Sequence, residues 1–165
     1  MTRLTTERLV LRAAQDGDLE PLFAVFSNPL AMKYWSNAPH KSPEETRYSF
    51  EKLSLPGNRK YFVIEYEGTV IGTAGVHEGD EIGFILHPDY WRKGLMTEAM
   101  QRIIAHIWAS TDFAQITADA DPENTASVQF LLSLGFKETG RAKNTFCVEG
   151  HWSDSVYFAL PRPSA

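Results

Sequence analysis

Residues 81–100, EIGFILHPDYWRKGLMTEAM, constrain this chain more than any other stretch. Glu81–Leu86 reads as a strand, His87-Pro88-Asp89 ends it, and a helix follows over about Gly94–Trp108. Within that helix Leu95, Ala99, Ile103 and Ile107 recur every four residues, so one face packs against a sheet. Only a short loop separates strand from helix, and it carries the pair Arg92-Lys93 followed by Gly94. The first N–H groups of a helix lack intrahelical partners, and the helix dipole draws anions to that end. A glycine lets a phosphate approach the backbone. The segment is therefore either a diphosphate site or a plain helix start with a surface Arg-Lys pair. A Walker loop is excluded because GxxxxGK[ST] is absent. The dinucleotide fingerprint GxGxxG is missing too, and the strands before the loop read as antiparallel.

Those strands form a meander. Tyr61–Tyr66 is rich in aromatic and β-branched residues, Glu67-Gly68 turns tightly into Val70–Val76, and Gly79-Asp80 turns again into Glu81–Leu86. Upstream, Leu9–Arg12 predicts a first strand after the polar stretch Thr5–Arg8. The turn Asp16-Gly17-Asp18 is placed to cap a helix over about Leu19–Phe26, and Pro43 opens a second helix with Glu44-Glu45 near its positive end. Leu30–Pro43, with Met32, Tyr34 and Trp35 among prolines and polar residues, suits a short helix and loop lining a cleft. Downstream, Phe113–Ala118 is a strand, Thr125–Leu134 a helix closed by Gly135, and Phe136–Arg141 and Ser155–Leu160 are strands around a polar loop containing Gly150. No repeat or linker divides the chain.

Composition narrows the function classes. Sixteen basic against 21 acidic residues give a formal charge of −5, which argues against a nucleic-acid surface. No apolar run reaches the ~20 residues that span a bilayer, and the N-terminus shows no secretory apolar core. One cysteine, Cys147, permits no internal disulfide and no multi-cysteine metal site, and His77, His87 and His151 lack ligand spacing such as HExxH. Cys147 reads as an inert thiol. No metal, nucleic acid or membrane is expected, and the cytoplasm is the expected location.

Four blocks carry a resemblance. Trp91-Arg92-Lys93-Gly94-Leu95-Met96 follows Ile85-Leu86-His87-Pro88. Asn124-x-x-Ser127 precedes Leu134-Gly135-Phe136. Thr6–Arg12 (TERLVLR) opens the chain and Gly150–Leu160 closes it. Together these resemble the GNAT (Gcn5-related) N-acetyltransferases, whose cradle reads Gln/Arg-x-x-Gly-x-Gly/Ala. Trp91 and Met96 depart from that pattern. They match the branch of ribosomal-protein N-terminal alanine and serine acetyltransferases, as does the run Gly94–Ala99 (Gly-x-x-Thr-Glu-Ala).

The resemblance implies one N-acetyltransferase domain over residues 1–165. It implies an α/β (α+β) fold with a mixed, mostly antiparallel sheet of six or seven strands flanked by helices and splayed between strands 4 and 5. Acetyl-CoA is the implied cosubstrate. Its pantetheine would pair with backbone near Phe84, Ile85 and Leu86, close to Asn124, and its diphosphate would lie on Arg92, Lys93, Gly94, Leu95, Met96 and Thr97. Direct attack by an amine needs a proton acceptor, a polarised carbonyl and a tolerated thiolate. Glu81 is the first choice as base, ahead of Asp80 in the preceding turn, while Asp119 or Asp121 would order a water or hold the acceptor. Many relatives place a tyrosine acid where this chain has Leu131, which leaves Ser133 as a weak substitute. Trp35, Tyr90 and Trp152 are candidates for cleft walls. The implied acceptor is the N-terminal amine of a protein or peptide. Alternatives are a small amine such as a polyamine, amino acid or aminoglycoside, or a non-catalytic acyl-CoA-binding role. A homodimer is compatible with either.

Overall fold

In the computed structural model, which describes residues 2–164, eight strands form one sheet in the order β1-β2-β3-β4-β5-β6-β8-β7. The strands are β1 (Arg3–Thr5), β2 (Leu9–Arg12), β3 (Tyr61–Tyr66), β4 (Thr69–Glu78), β5 (Glu81–Leu86), β6 (Gln115–Ala120), β7 (Lys137–Val148) and β8 (His151–Pro161). The helices are α1 (Leu19–Phe26), α2 (Pro43–Ser54), α3 (Leu95–Ser110) and α4 (Thr125–Ser133). Every neighbouring pair is antiparallel except β5 and β6. That pair meets in register only at Glu81↔Thr117. Beyond this point the two strands diverge, and the β6-facing edge of β5 is left open.

Helices cover both faces of the sheet. On one face Leu95, Ala99, Met100, Ile103 and Ile107 of α3 pack with Leu131 of α4 onto Ile82, Leu86, Ile116 and Ala118. This is the stripe legible at spacing four, and each fully buried Leu or Ile contributes roughly 1.5–3 kcal/mol. On the other face Leu22, Val25 and Phe26 of α1 and Leu53 of α2 cover Val63, Val70 and Ile85. Residues Val70–Val76 of β4 are buried throughout, because that strand is central and covered on both sides.

The structure differs from the sequence expectation in four places. It has eight strands rather than six or seven, since Arg3–Thr5 pairs with Val10–Arg12 as an extra edge strand. The supposed polar loop around Gly150 is instead a long hairpin, in which β7 and β8 run to Val148 and from His151. Glu149 (φ 51°) and Gly150 (φ 82°) are both left-handed there, the geometry of a two-residue turn that matches strand twist. Asp18 stands at the start of α1 but does not cap it; its carboxylate binds Arg12 at 2.7 Å and accepts the Gln15 N–H at 2.8 Å. A buried guanidinium is the stronger claim on a carboxylate. Residues 30–37 form turns rather than a helix, and they do line the cleft.

Candidate active site

The divergence of β5 from β6 opens a cleft of ≈ 1000 Å³. Its lining runs from the loop before α3, along β5, to the ends of β6 and β7–β8. At one end the chain leaves β5 through a single 3-10 turn, Pro88–Tyr90. The Trp91 indole donates to the Leu86 carbonyl at 2.8 Å and pins the loop to the strand end. Arg92 (φ 62°) and Gly94 (φ 75°) are both left-handed, so the backbone bends sharply before α3 begins at Leu95. No side chain caps that helix, and the first bond back to the loop runs from the Glu98 N–H to the Gly94 carbonyl at 3.1 Å. Outside helices and strands, no hydrogen bond among the described residues is donated by the backbone of residues 92–97. A run of open N–H groups at a helix start, facing a deep cleft, fits a diphosphate.

The expected cofactor residues are largely gathered here. Phe84, Ile85, Leu86, Arg92, Gly94, Leu95, Met96, Thr97 and Asn124 all line the cleft. Lys93 does not; its ammonium lies 5.7 Å from the Tyr90 ring centroid. Asn124 caps α4, accepting the Ser127 N–H at 3.2 Å and donating to the Ser127 hydroxyl at 2.9 Å. Phe84 meets Phe130 of α4 edge-on at 4.9 Å and closes the floor of the fork. A Cβ on Gly94 would meet the Arg8 guanidinium at 3.6 Å, an ordinary contact, and the left-handed backbone there (φ 75°) is one that glycine adopts without strain.

At the other end of β5 stand the titratable groups. Glu81 and Leu86 are about 17 Å apart along the strand, from the rise per residue. Glu81 accepts or shares a proton with His77 Nε2 at 3.1 Å, and both side chains line the cleft. The His77 ring lies over Gly83, where a Cβ would come within 3.1 Å of it. Asp80 is turned elsewhere: its carboxylate accepts the Thr117 hydroxyl at 2.8 Å and does not line the cleft. Asp119 and Asp121 do line it. Asp119 Oδ1 is buried without a hydrogen-bond partner among the described residues. Burial raises the Asp119 carboxyl above its ordinary range, and Glu81 and Asp121 add to the rise. The Ser155 hydroxyl pulls the other way, but it is engaged with Thr145 at 2.6 Å, so burial prevails.

The remaining assignments are scattered. Ser133 is exposed, donates to the Phe130 carbonyl at 2.6 Å and does not line the cleft. Leu131 is core. Trp35 and Tyr90 line the cleft, whereas Trp152 is 56% exposed outside it, across β7–β8 from the exposed Cys147. Sequence reasoning weighed His77 only as a metal ligand, and its contact with Glu81 depends on the β4–β5 register. The visible signal was a histidine four residues before the favoured glutamate, across a Gly-Asp turn.

The family model described as "Acetyltransferase (GNAT) domain" matches residues 8–137. The chain belongs to the GNAT acetyltransferase family. It is an enzyme, and acetyl-CoA is its cosubstrate. This GNAT acetyltransferase is 33% identical to an uncharacterized N-acetyltransferase p20 of Bacillus licheniformis, over 97% of the chain and 96% of the relative. It is 29% identical to the [ribosomal protein uS5]-alanine N-acetyltransferase of Escherichia coli, over 98% and 91%. Its fold matches a spermidine N-acetyltransferase from Vibrio cholerae solved with CoA and spermine, with TM-score 0.81, 22% identity, and 95% and 97% of the two chains covered. Kinship thus fixes the donor and the reaction class, and spans more than one kind of acceptor.

Proposed function

We propose that this acetyltransferase modifies the N-terminal amine of a protein or peptide. The observation that carries this reading is the cleft lining supplied away from the cradle. Carboxylates of Glu78, Glu81, Asp119, Asp121 and Asp154 stand there, together with the exposed apolar side chains Leu30, Tyr34, Tyr48 and Phe146. Carboxylates draw in an ammonium group. An apolar margin around a polar pocket suits an acceptor with side chains of its own, because small hydrophilic amines gain nothing from it. The resemblance of the 91–99 segment to the ribosomal-protein branch points the same way.

In this reading the pantetheine arm follows the open edge of β5 from Leu86 towards Glu81. Glu81, held by His77, takes the ammonium proton directly or through one water. The neutral amine then attacks the thioester carbonyl, the C–N bond forms, the C–S bond breaks with the electron pair going to sulfur, and the second proton shed by the nitrogen passes to the departing CoA thiolate, directly or through water. A side-chain acid is not required, since a thiolate is a fair leaving group. The five carboxylates also favour a second acceptor, a polyamine, whose several charges would use more than one of them. Kinetics with an Ala-initiated peptide, a Ser-initiated peptide, spermidine and an aminoglycoside separate the two. The peptides are expected to show the highest kcat/KM; a spermidine value tenfold above both would replace this reading with the second.

A further inference from the structure

The loop that begins α3 is held from outside the cleft by the turn between β1 and β2. Arg8 donates from Nη1 to the Lys93 carbonyl at 2.9 Å, from Nε to Glu98 Oε1 at 2.8 Å, and from its backbone N–H to Glu98 Oε2 at 2.9 Å. The Thr6 hydroxyl donates to the same Glu98 carboxylate and accepts the Leu9 N–H at 3.0 Å. Arg8 itself does not line the cleft. We propose that Arg8 is a positioning residue for the acetyl-CoA diphosphate, acting through the Lys93–Gly94 peptide and through Glu98. The assignment rests on residues 92–97 being the diphosphate cradle.

Two physical arguments support it. The Lys93 carbonyl and the Gly94 N–H belong to one planar trans peptide and point in opposite directions. Pinning the carbonyl outward onto Arg8 therefore aims the Gly94 N–H into the cradle. This matters because Gly94 (φ 75°), on one side of that peptide, and Arg92 (φ 62°), one residue before Lys93, are both left-handed, conformations that a free loop would leave readily. With the Trp91 indole on the Leu86 carbonyl, the loop is tied at both ends. The second argument concerns charge. Glu98 sits in the first turn of α3, where the dipole attracts anions, so an unpaired carboxylate there competes with a diphosphate for the same field. Arg8 and Thr6 occupy both of its oxygens and keep it turned from the cleft. Arg8 thus acts on the diphosphate without touching it.

The test uses Arg8→Ala, Arg8→Lys and Glu98→Gln, each assayed with acetyl-CoA and with S-acetyl-pantetheine, which carries the thioester but no diphosphate. Arg8→Ala is expected to raise KM for acetyl-CoA about tenfold, with kcat and acceptor KM within about twofold and no loss with S-acetyl-pantetheine. Arg8→Lys, which keeps charge but loses the fork, is expected to fall between. If Arg8→Ala does not fold, Arg8→Lys and Glu98→Gln carry the comparison by the same ratio. Equal losses with both donors, or no loss with either, would overturn the role of Arg8. A wild type that does not prefer acetyl-CoA over S-acetyl-pantetheine would overturn the cradle itself.

Discussion

Asp119 is held in an uncomfortable state, and that has a measurable consequence. Its Oδ1 is buried without a hydrogen-bond partner among the described residues, and burial raises its carboxyl above the ordinary range. A group that holds its proton more tightly when folded makes the folded state lose stability as pH rises above the ordinary carboxylate range. Asp119→Asn is therefore expected to raise Tm at neutral pH. The gain should vanish as pH falls to the point where the aspartate is protonated in both folded and unfolded chains. A pH series of melting curves checks this, and a gain independent of pH would contradict it. Glu81→Gln is expected to behave differently. It should lower kcat/KM by ~10²–10⁴ near neutrality. Part of that loss should return as pH passes the ~8 of an α-amino group, where more acceptor is already neutral. A pH–rate profile within twofold of wild type throughout would remove Glu81 from the role. The place of Glu81 at the head of β5 was legible because the Gly79-Asp80 turn marks the start of the strand. His77 and the orphan oxygen of Asp119 were not, because cross-strand register and burial create them.

At the scale of elements, the strand–loop–α3 junction concentrates the strain. Gly94 (φ 75°) adopts a backbone that costs an L-residue roughly 1–2 kcal/mol, and its α-carbon faces the Arg8 guanidinium. Gly94→Ala is expected to lower Tm by roughly 2–4 °C per kcal/mol lost and to raise KM for acetyl-CoA several-fold. Unchanged KM in the folded variant would contradict the placement of the cradle. The bounds of α1, β3 and β5 and the start of α2 were legible because period, proline and turn residues agreed locally. The far end of the β7–β8 hairpin, between Arg141 and Ser155, was read as a loop although Glu149-Gly150 repeats the Glu67-Gly68 turn correctly read between β3 and β4. Lys143-Asn144-Thr145 and the exposed faces of β7 hid the alternation there, and the register shifts between Ala142 and Phe146. β1, three residues long, offers too little pattern to read.

The whole molecule brings together what the chain separates. Arg8 reaches Lys93 across 85 positions, Glu81 meets Thr117 where the sheet forks, and the cleft draws its walls from residues as distant as Leu30 and Asp154. The proposed diphosphate cradle lies within one continuous segment that the sequence alone marks out, whereas the proposed acceptor side draws on five separate segments that only the fold brings together. Because acetyl-CoA engages only the folded cleft, it is expected to raise Tm by mass action, while NAD and adenosine should do so weakly. Equal shifts by NAD and acetyl-CoA would contradict a cradle built for CoA. The most direct measurement is mass spectrometry of an Ala-initiated peptide incubated with acetyl-CoA and the enzyme, with released thiol counted in parallel. The expected result is one acetyl group on the α-amine for each thiol released. Thiol release without an acetylated amine, or no turnover with the peptide, spermidine or an aminoglycoside, would contradict direct transfer in this cleft.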